Sequence, residues 1–269
     1  MEQDLRPPPA RVGALLREWR AARRLSQLDL ALDAGISTRH LSCIETGKAQ
    51  PSRALLAKLA DTLDMSLRER NALLVAAGYA PHYPESALST PHMAQIRRAI
   101  ECILGQQEPY PAFLLDRHWN IVMANGAAQR FTAHILGRPG RHGNMLHLVF
   151  DPQELRPHLA NWEEVAGNLI HHLHTLVAGN PADAMARALL NEVLAYPAVP
   201  ARFRLRELAE APLPLLTTTF RKDGRELGFF STITTFGTPR DVTIDELHIE
   251  SCFPVDEATA EVCRELTGA

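Results

Sequence analysis

The side chains best equipped for chemistry fall into two groups. Between positions 37 and 53 the sequence places Ser37, Thr38, Arg39, His40, Ser42, Lys48 and Arg53. Arginine and lysine can pair with guanine O6 and N7, and hydroxyls and cations can hold phosphates. That chemistry is recognition of a nucleic-acid duplex. The second group spans 162–177 and 229–236. Trp162, Val165, Leu169, His172 and Leu176 recur at helical spacing, with Ala166, Ile170, Leu173 and Val177 beside them. The later stretch offers two alternating sets: Phe229, Ser231, Ile233 and Thr235, or Phe230, Thr232, Thr234 and Phe236. Apolar surface carrying a few hydroxyls and one imidazole is what a small-molecule pocket requires. Either strand set can face it. Leu169, His172, Leu176, Phe229, Ser231 and Ile233 are the candidate ligand-binding residues, with His172 a candidate donor to a ligand carboxylate.

Other reactive groups point to no catalysis. His171 and His174 share a helix face, but no third metal or haem ligand follows at useful spacing. Cys43, Cys102, Cys252 and Cys263 show no CxxC spacing. They therefore make neither a disulfide scaffold nor a zinc ribbon, and a reducing cytoplasm is the expected compartment. Cys43 reads as a packed small residue rather than a redox thiol. GxSxG, HExxH and Gly-rich phosphate loops are missing, and Asp116 and Asp151 stand alone near turns. No enzyme, catalytic residue, metal or bound cofactor is expected.

The elements that must position these groups follow from pattern. Residues 12–77 read as five short helices, with Val12, Leu15, Leu16 and Trp19 forming the first stripe. Ser26 caps the second helix, which Gln27 opens, and Gly35 suits a tight turn before Ser37 caps the third. Leu41 and Ile44 point inward, leaving Thr38, Arg39, His40 and Ser42 at the start and outer face. This is the layout of a helix-turn-helix unit whose second helix enters the major groove. Lys48 and Arg53 follow in a Gly-bearing loop, placed to hold phosphates. Gly78 can end the fifth helix, and Pro81, Pro84, Ser86, Ser89 and Pro91 mark a linker.

Beyond it, Ala112–Leu115 and Trp119–Met123 suit a hairpin, and a helix is expected from about Asn125. Helical patterns cover about 153–179 and 182–196, and strands are expected at Leu213–Phe220, Glu226–Phe236 and Val242–Phe253. At 269 residues the length favours two domains. Residues 1–80 hold 12 Lys+Arg against 9 Asp+Glu, and the remaining 189 hold 16 against 22, so only the first part suits a polyanion. No apolar run is long enough for a transmembrane helix, and Pro7-Pro8-Pro9 stand where a signal peptide needs apolar residues. No membrane partner is expected.

Two resemblances sharpen these expectations. Leu25-Ser26-Gln27-Leu28-Asp29-Leu30-Ala31, Gly35-Ile36-Ser37 and Ile44-Glu45-Thr46-Gly47-Lys48 closely resemble Cro/C1-type (XRE) helix-turn-helix regulators, over about 12–77. The resemblance implies base reading by Gln27, Thr38, Arg39 and His40, and phosphate contacts from Ser37, Ser42, Lys48 and Arg53. It makes Glu45 a buried acidic brace. Residues 92–264 resemble the ligand-binding domain of MmyB-like transcription regulators, a PAS-like fold. The match is carried by Tyr110–Asp116 with Trp119 and Asn125, by Asn144–Pro152, and by Trp162 with Val165-Ala166. It implies an apolar cavity for a fatty-acid-like ligand. The expected architecture is multidomain: an all-α lambda-repressor-like helix-turn-helix domain (1–80), a linker (81–94) and an α+β PAS-like domain with an antiparallel sheet (95–269). The expected function is a ligand-responsive regulator that binds a double-stranded DNA operator as a homodimer and senses a small apolar molecule. The alternatives are a second domain that only dimerises or binds a protein, and haem, metal or redox sensing.

Overall fold

The computed structural model describes residues 10–180, 183–205 and 215–268. The chain divides into two compact units. One is Met1–Ser86 with Ala178–Ala182 and Thr238–Asp245, and the other is Ala87–Val177, Asp183–Gly237 and Glu246–Ala269.

The first unit contains α1 (Ala10–Ala22), α2 (Gln27–Asp33), α3 (Thr38–Glu45), α4 (Arg53–Thr62) and α5 (Leu67–Ala76). Each of α2 to α5 begins at a serine N-cap, Ser26, Ser37, Ser52 and Ser66, whose side chain accepts from a backbone N–H three residues on. Such caps satisfy donors that a helix start leaves free, each worth about 1 kcal/mol. Gly35 turns α2 into α3 at φ +62°, a conformation glycine adopts without strain. Val12, Leu16, Trp19, Leu30, Leu41, Ile44, Leu56, Leu59 and Leu73 are buried in one core. α1 reaches that core through Gly13, where an added Cβ would lie 2.5 Å from the carbonyl oxygens of both Ile44 and Glu45.

The chain continues with α6 (Ala94–Gln106), β1 (Ala112–Leu115), β2 (Ile121–Ala124), α7 (Gly126–Leu136), α8 (Met145–Phe150), α9 (Trp162–Gly179), α10 (Ala184–Ala195), β3 (Thr217–Lys222), β4 (Arg225–Thr235), α11 (Val242–Glu246), β5 (His248–Pro254) and α12 (Glu257–Thr267); all five strands belong to the second unit, and all but the last residue of α11 to the first. The strands form one antiparallel sheet in the order β2-β1-β5-β4-β3. Alternation divides its two faces. Ala112, Leu114 and Ile249 pack with Ile100 and Leu104 of α6. On the opposite face Leu227 and Phe229 pack with Phe131 and Ile135 of α7 and Val262 of α12. A separate apolar cluster joins α8, α9 and α10 through residues such as Phe150, Leu169, Leu173 and Val193.

Several boundaries differ from the sequence expectation. The expected helix over 153–179 begins at Trp162, because Pro157 sits in a separate 3-10 turn, Arg156–His158. The expected strand Val242–Phe253 is half helix. Asp241 accepts from the Thr243 N–H through its side chain and from the Asp245 N–H through its carbonyl, which starts α11, and β5 begins only at His248. The strand expected over Leu213–Phe220 starts at Thr217, with 213 and 214 outside the described residues. Residue 182, expected to start a helix, is likewise outside them, and Asp183 caps α10. Neither α6 nor α12 was anticipated. The linker expected over 81–94 is partly ordered: Asn71 Oδ1 accepts from the His82 and Tyr83 N–H groups, and Ala94 already begins α6. No helix among the described residues is long and apolar enough to cross a membrane.

Gly13 sets two effects against each other. Alanine is favoured over glycine in a helix interior by about 1 kcal/mol, but here its methyl would strike backbone oxygens. Pushing α1 off α3 costs about 1–3 kcal/mol by the usual overpacking penalty. Gly13→Ala is therefore expected to lower the thermal midpoint of the N-terminal transition, whereas helix propensity alone would raise it.

Candidate functional site

α3 presents two faces. Leu41 and Ile44 are fully buried, whereas Arg39 and His40 are exposed and Thr38 and Ser42 half-buried. The Arg39 side chain forms no hydrogen bond or ion pair with a described residue, and neither does the Lys48 side chain. Ser37 serves as N-cap, its Oγ accepting from the His40 N–H at 3.2 Å. Lys48 follows Gly47 (φ +74°), and the Lys48 and Ala49 N–H groups close the helix on the Cys43 carbonyl at 2.7 and 3.1 Å. Arg53 stacks its guanidinium 4.9 Å from the centre of the Tyr79 ring, and the Tyr79 hydroxyl donates to the Pro51 carbonyl. Thus Thr38, Arg39, His40, Ser42, Lys48 and Arg53 are all at least partly solvent-accessible.

Gln27, expected as a base-reading residue, is also tied into the fold. Its Nε2 donates one N–H to Glu45 Oε2 at 2.7 Å, which leaves the second N–H and the carbonyl oxygen for another partner. Glu45 itself is 1% exposed and holds three helices together. Arg20 of α1 donates through Nε to Oε1 at 2.7 Å and through Nη2 to Oε2 at 3.0 Å. Arg17 adds a donor to the Glu45 carbonyl at 2.6 Å. Burial pushes the Glu45 carboxyl up, but the hydrogen bonds from Arg20 and Gln27 and the charges of Arg20 and Arg17 outweigh it. The carboxyl is held below its ordinary value.

In the second unit a cavity of about 260 Å³ lies against the inner face of the sheet. Register explains its floor. Phe113, Glu250 and Ile233 form one cross-strand row over β1, β5 and β4. Cys252 pairs with Ser231 in the next row, and Phe229 with Thr218 in another. All seven line the cavity, and α9 closes it with Val165, Asn168, Leu169 and His172. Of the predicted residues, Leu169, His172, Phe229, Ser231 and Ile233 come together here. Leu176, one turn further along α9, does not reach the cavity and packs outside it. Ile233 and His172 are solvent-exposed and stand at the mouth, whereas Phe229 and Leu169 are buried. Partial desolvation and the adjacent His171 hold the His172 imidazole below its ordinary pKa, so it is neutral near pH 7. His174, by contrast, is hydrogen-bonded to the Phe203 carbonyl at 2.9 Å.

Sequence reasoning missed Glu250, Asn168 and the aromatic residues Phe113, Trp119 and Phe131 of this cavity. The available signal was the alternation Glu250–Cys252, which faces the same way as Ser231 once β5 starts at His248.

Comparison with known proteins follows the same division. Residues 96–266 match the family model of the MmyB-like transcription regulator ligand binding domain. The chain belongs to this family. Residues 11–73 match a helix-turn-helix domain model, so the family's ligand-binding domain here follows a helix-turn-helix domain. An uncharacterized HTH-type transcriptional regulator, RghRB of Bacillus subtilis (strain 168), is 40% identical over 102 residues. That similarity takes in 38% of this chain and 63% of the relative's length. Among solved structures, an RNA-binding light-oxygen-voltage receptor aligns over 96% of this chain and 62% of its own, at 15% identity. Its TM-score of 0.23 carries no argument about this fold.

The Glu45 cluster generates a stability prediction. Removing one partner of a buried, hydrogen-bonded pair typically costs about 3–5 kcal/mol. Glu45→Gln keeps the size but loses the charge, and is expected to cost about 3 kcal/mol in urea denaturation of the first unit. Because the folded carboxyl is depressed, its stabilisation is present above the ordinary glutamate range and is lost as pH falls through the folded value. Wild type should therefore lose stability more steeply than Glu45→Gln on acidification below about pH 4.5. Equal slopes would show that Glu45 contributes nothing through its charge.

Proposed function

We propose that this chain is a ligand-responsive transcription regulator and not an enzyme. It binds a duplex DNA operator as a homodimer and senses an elongated apolar small molecule in the cytoplasm. The observation that carries the first half is the pair of unengaged cations, Arg39 on the outer face of α3 and Lys48 just beyond its end. Arg39 is positioned to read a base in the major groove, with Thr38 and His40 beside it. Ser37, Ser42, Lys48 and Arg53 serve the phosphates, and Gln27 contributes through the amide N–H and the oxygen that Glu45 leaves open. A single helix-turn-helix makes few base contacts, and two half-sites held by one dimer multiply specificity, which favours dimeric binding.

The cavity on the inner sheet face supports the sensing half. The strand order and the helices covering that face also favour the PAS-like reading of this domain. The volume is just below the ~300–1,000 Å³ of typical small-molecule sites, so it suits a chain of about ten carbons. A fatty-acid-like molecule is the version the family resemblance implies, with Leu169 and Phe229 against its carbons and Ser231 and His172 near its polar end.

Two experiments test these halves separately. Arg39→Ala is expected to weaken cognate binding by about 1–3 kcal/mol and relax preference at one base pair. Lys48→Ala should weaken all sequences alike and reduce the salt slope by about 1. An unchanged ranking of operator variants in Arg39→Ala would contradict base reading. For the cavity, calorimetry with straight-chain alcohols of graded length should show affinity rising about fourfold per methylene until the space is filled. Leu169→Trp, which narrows the cavity, should remove that binding and leave DNA binding intact. Affinity indifferent to chain length would favour a domain that only dimerises.

A further inference from the structure

The cavity contains a carboxyl and, among its described lining residues, no lysine or arginine to hold another. Glu250, in the middle of β5, lines it, between Phe113 on β1 and Ile233 on β4. We propose that the polar end of the ligand is a protonated amine, held by the Glu250 carboxylate and the aromatic walls: the cavity takes an apolar organic amine. This inference rests on the cavity being the ligand site and replaces the fatty-acid head group, implied by the family resemblance, with an amine.

Charge and surroundings both argue for it. Among the described lining residues none is lysine or arginine. From the elements packed around Glu250, the titratable side chains are His172 of α9 and, on β5, Cys252 and His248, the last held below its ordinary pKa by burial, with Ser231 and Asn168 as uncharged polar neighbours. Burial pushes the Cys252 thiol far up, so it stays protonated, and the His172 imidazole is neutral near pH 7. No described lining group can therefore neutralise an incoming carboxylate, and Glu250 would oppose it or have to share its proton. Burial also raises the Glu250 carboxyl, against a Ser231 hydrogen bond that favours the ionised form. An ammonium removes that penalty by supplying the counter-charge inside the cavity. Phe113, Trp119, Phe131, Phe220 and Phe229 complete the wall. Aromatic faces attract a desolvated cation and offer nothing comparable to an anion.

The test holds the chain constant and changes the head group. Decylamine, decanol and decanoate are titrated into the full chain by calorimetry at pH 7, below their micelle concentrations. Decylamine is expected to bind about fivefold or more tighter than decanol, and decanoate more weakly than decanol. In Glu250→Gln the amine advantage should vanish while decanol binding persists, which also shows that the variant is folded. The wild-type ranking needs no variant and is decisive even if Glu250→Gln does not fold. Decanoate matching or exceeding decylamine, an amine advantage below about fivefold, or an advantage that survives in a folded Glu250→Gln would overturn the proposal. Binding by none of the three would instead refute the cavity as the ligand site, and the inference would fall with it.

Discussion

One buried carboxylate organises the N-terminal unit. Glu45 ends α3, the helix that carries the exposed Arg39, and its oxygens receive Arg20 from α1 and Gln27 from α2. A charge taken out of water is costly unless each lone pair finds a donor. Here three donors converge on two oxygens, and a fourth, from Arg17, takes the Glu45 carbonyl. The geometry of α1, α2 and α3 is thereby coupled to one point, and Gly13 allows α1 close enough for the arginines to reach it. A surface helix aimed at a groove must hold its angle, and this cluster supplies the stiffness that an eight-residue helix lacks alone.

The second unit meets a different constraint, the alternation of side chains across a sheet. One face packs against α6 through small and branched residues at Ala112, Leu114 and Ile249. The other bears phenylalanines at 113, 220 and 229, and α7 and α9 stand over it. Phe131 meets Phe220 and Phe229 edge-on at 5.2 and 5.0 Å, and these packed rings wall the cavity space. The polar groups of that space sit on adjacent cross-strand rows, so the position of a head group follows from strand register and not from loop conformation.

Legibility in the sequence tracked how local the determining physics was. Serine caps, the glycine turn after Ala34 and the inward Leu41 and Ile44 are short-range features, and the structure has them where the pattern placed them. Glu45 is recognisable as a buried acid through the family resemblance, but its bond to Gln27 is not legible, because the partners stand 18 residues apart. The failures at 242–253 have a similar cause. Val242, Ile244, Leu247 and Ile249 suit a strand by composition, and the Thr243 N–H donated to the Asp241 side chain turns the first part into helix. Glu250 was invisible for the same reason: a glutamate among strand residues reads as solvent-facing until the register assigns it the same face as Ser231. Leu176 continued the α9 stripe correctly, yet the cavity ends a turn earlier.

The central claim is that operator and cavity ligand report on each other, and thermodynamic coupling measures this directly. A high-affinity duplex selected from random sequence is titrated with the full chain, with and without the saturating cavity ligand. The account predicts that operator affinity shifts by about 5-fold or more, and that ligand affinity shifts by the same factor when DNA is present, since coupling is reciprocal. Tight binding of both, each indifferent to the other, would contradict it.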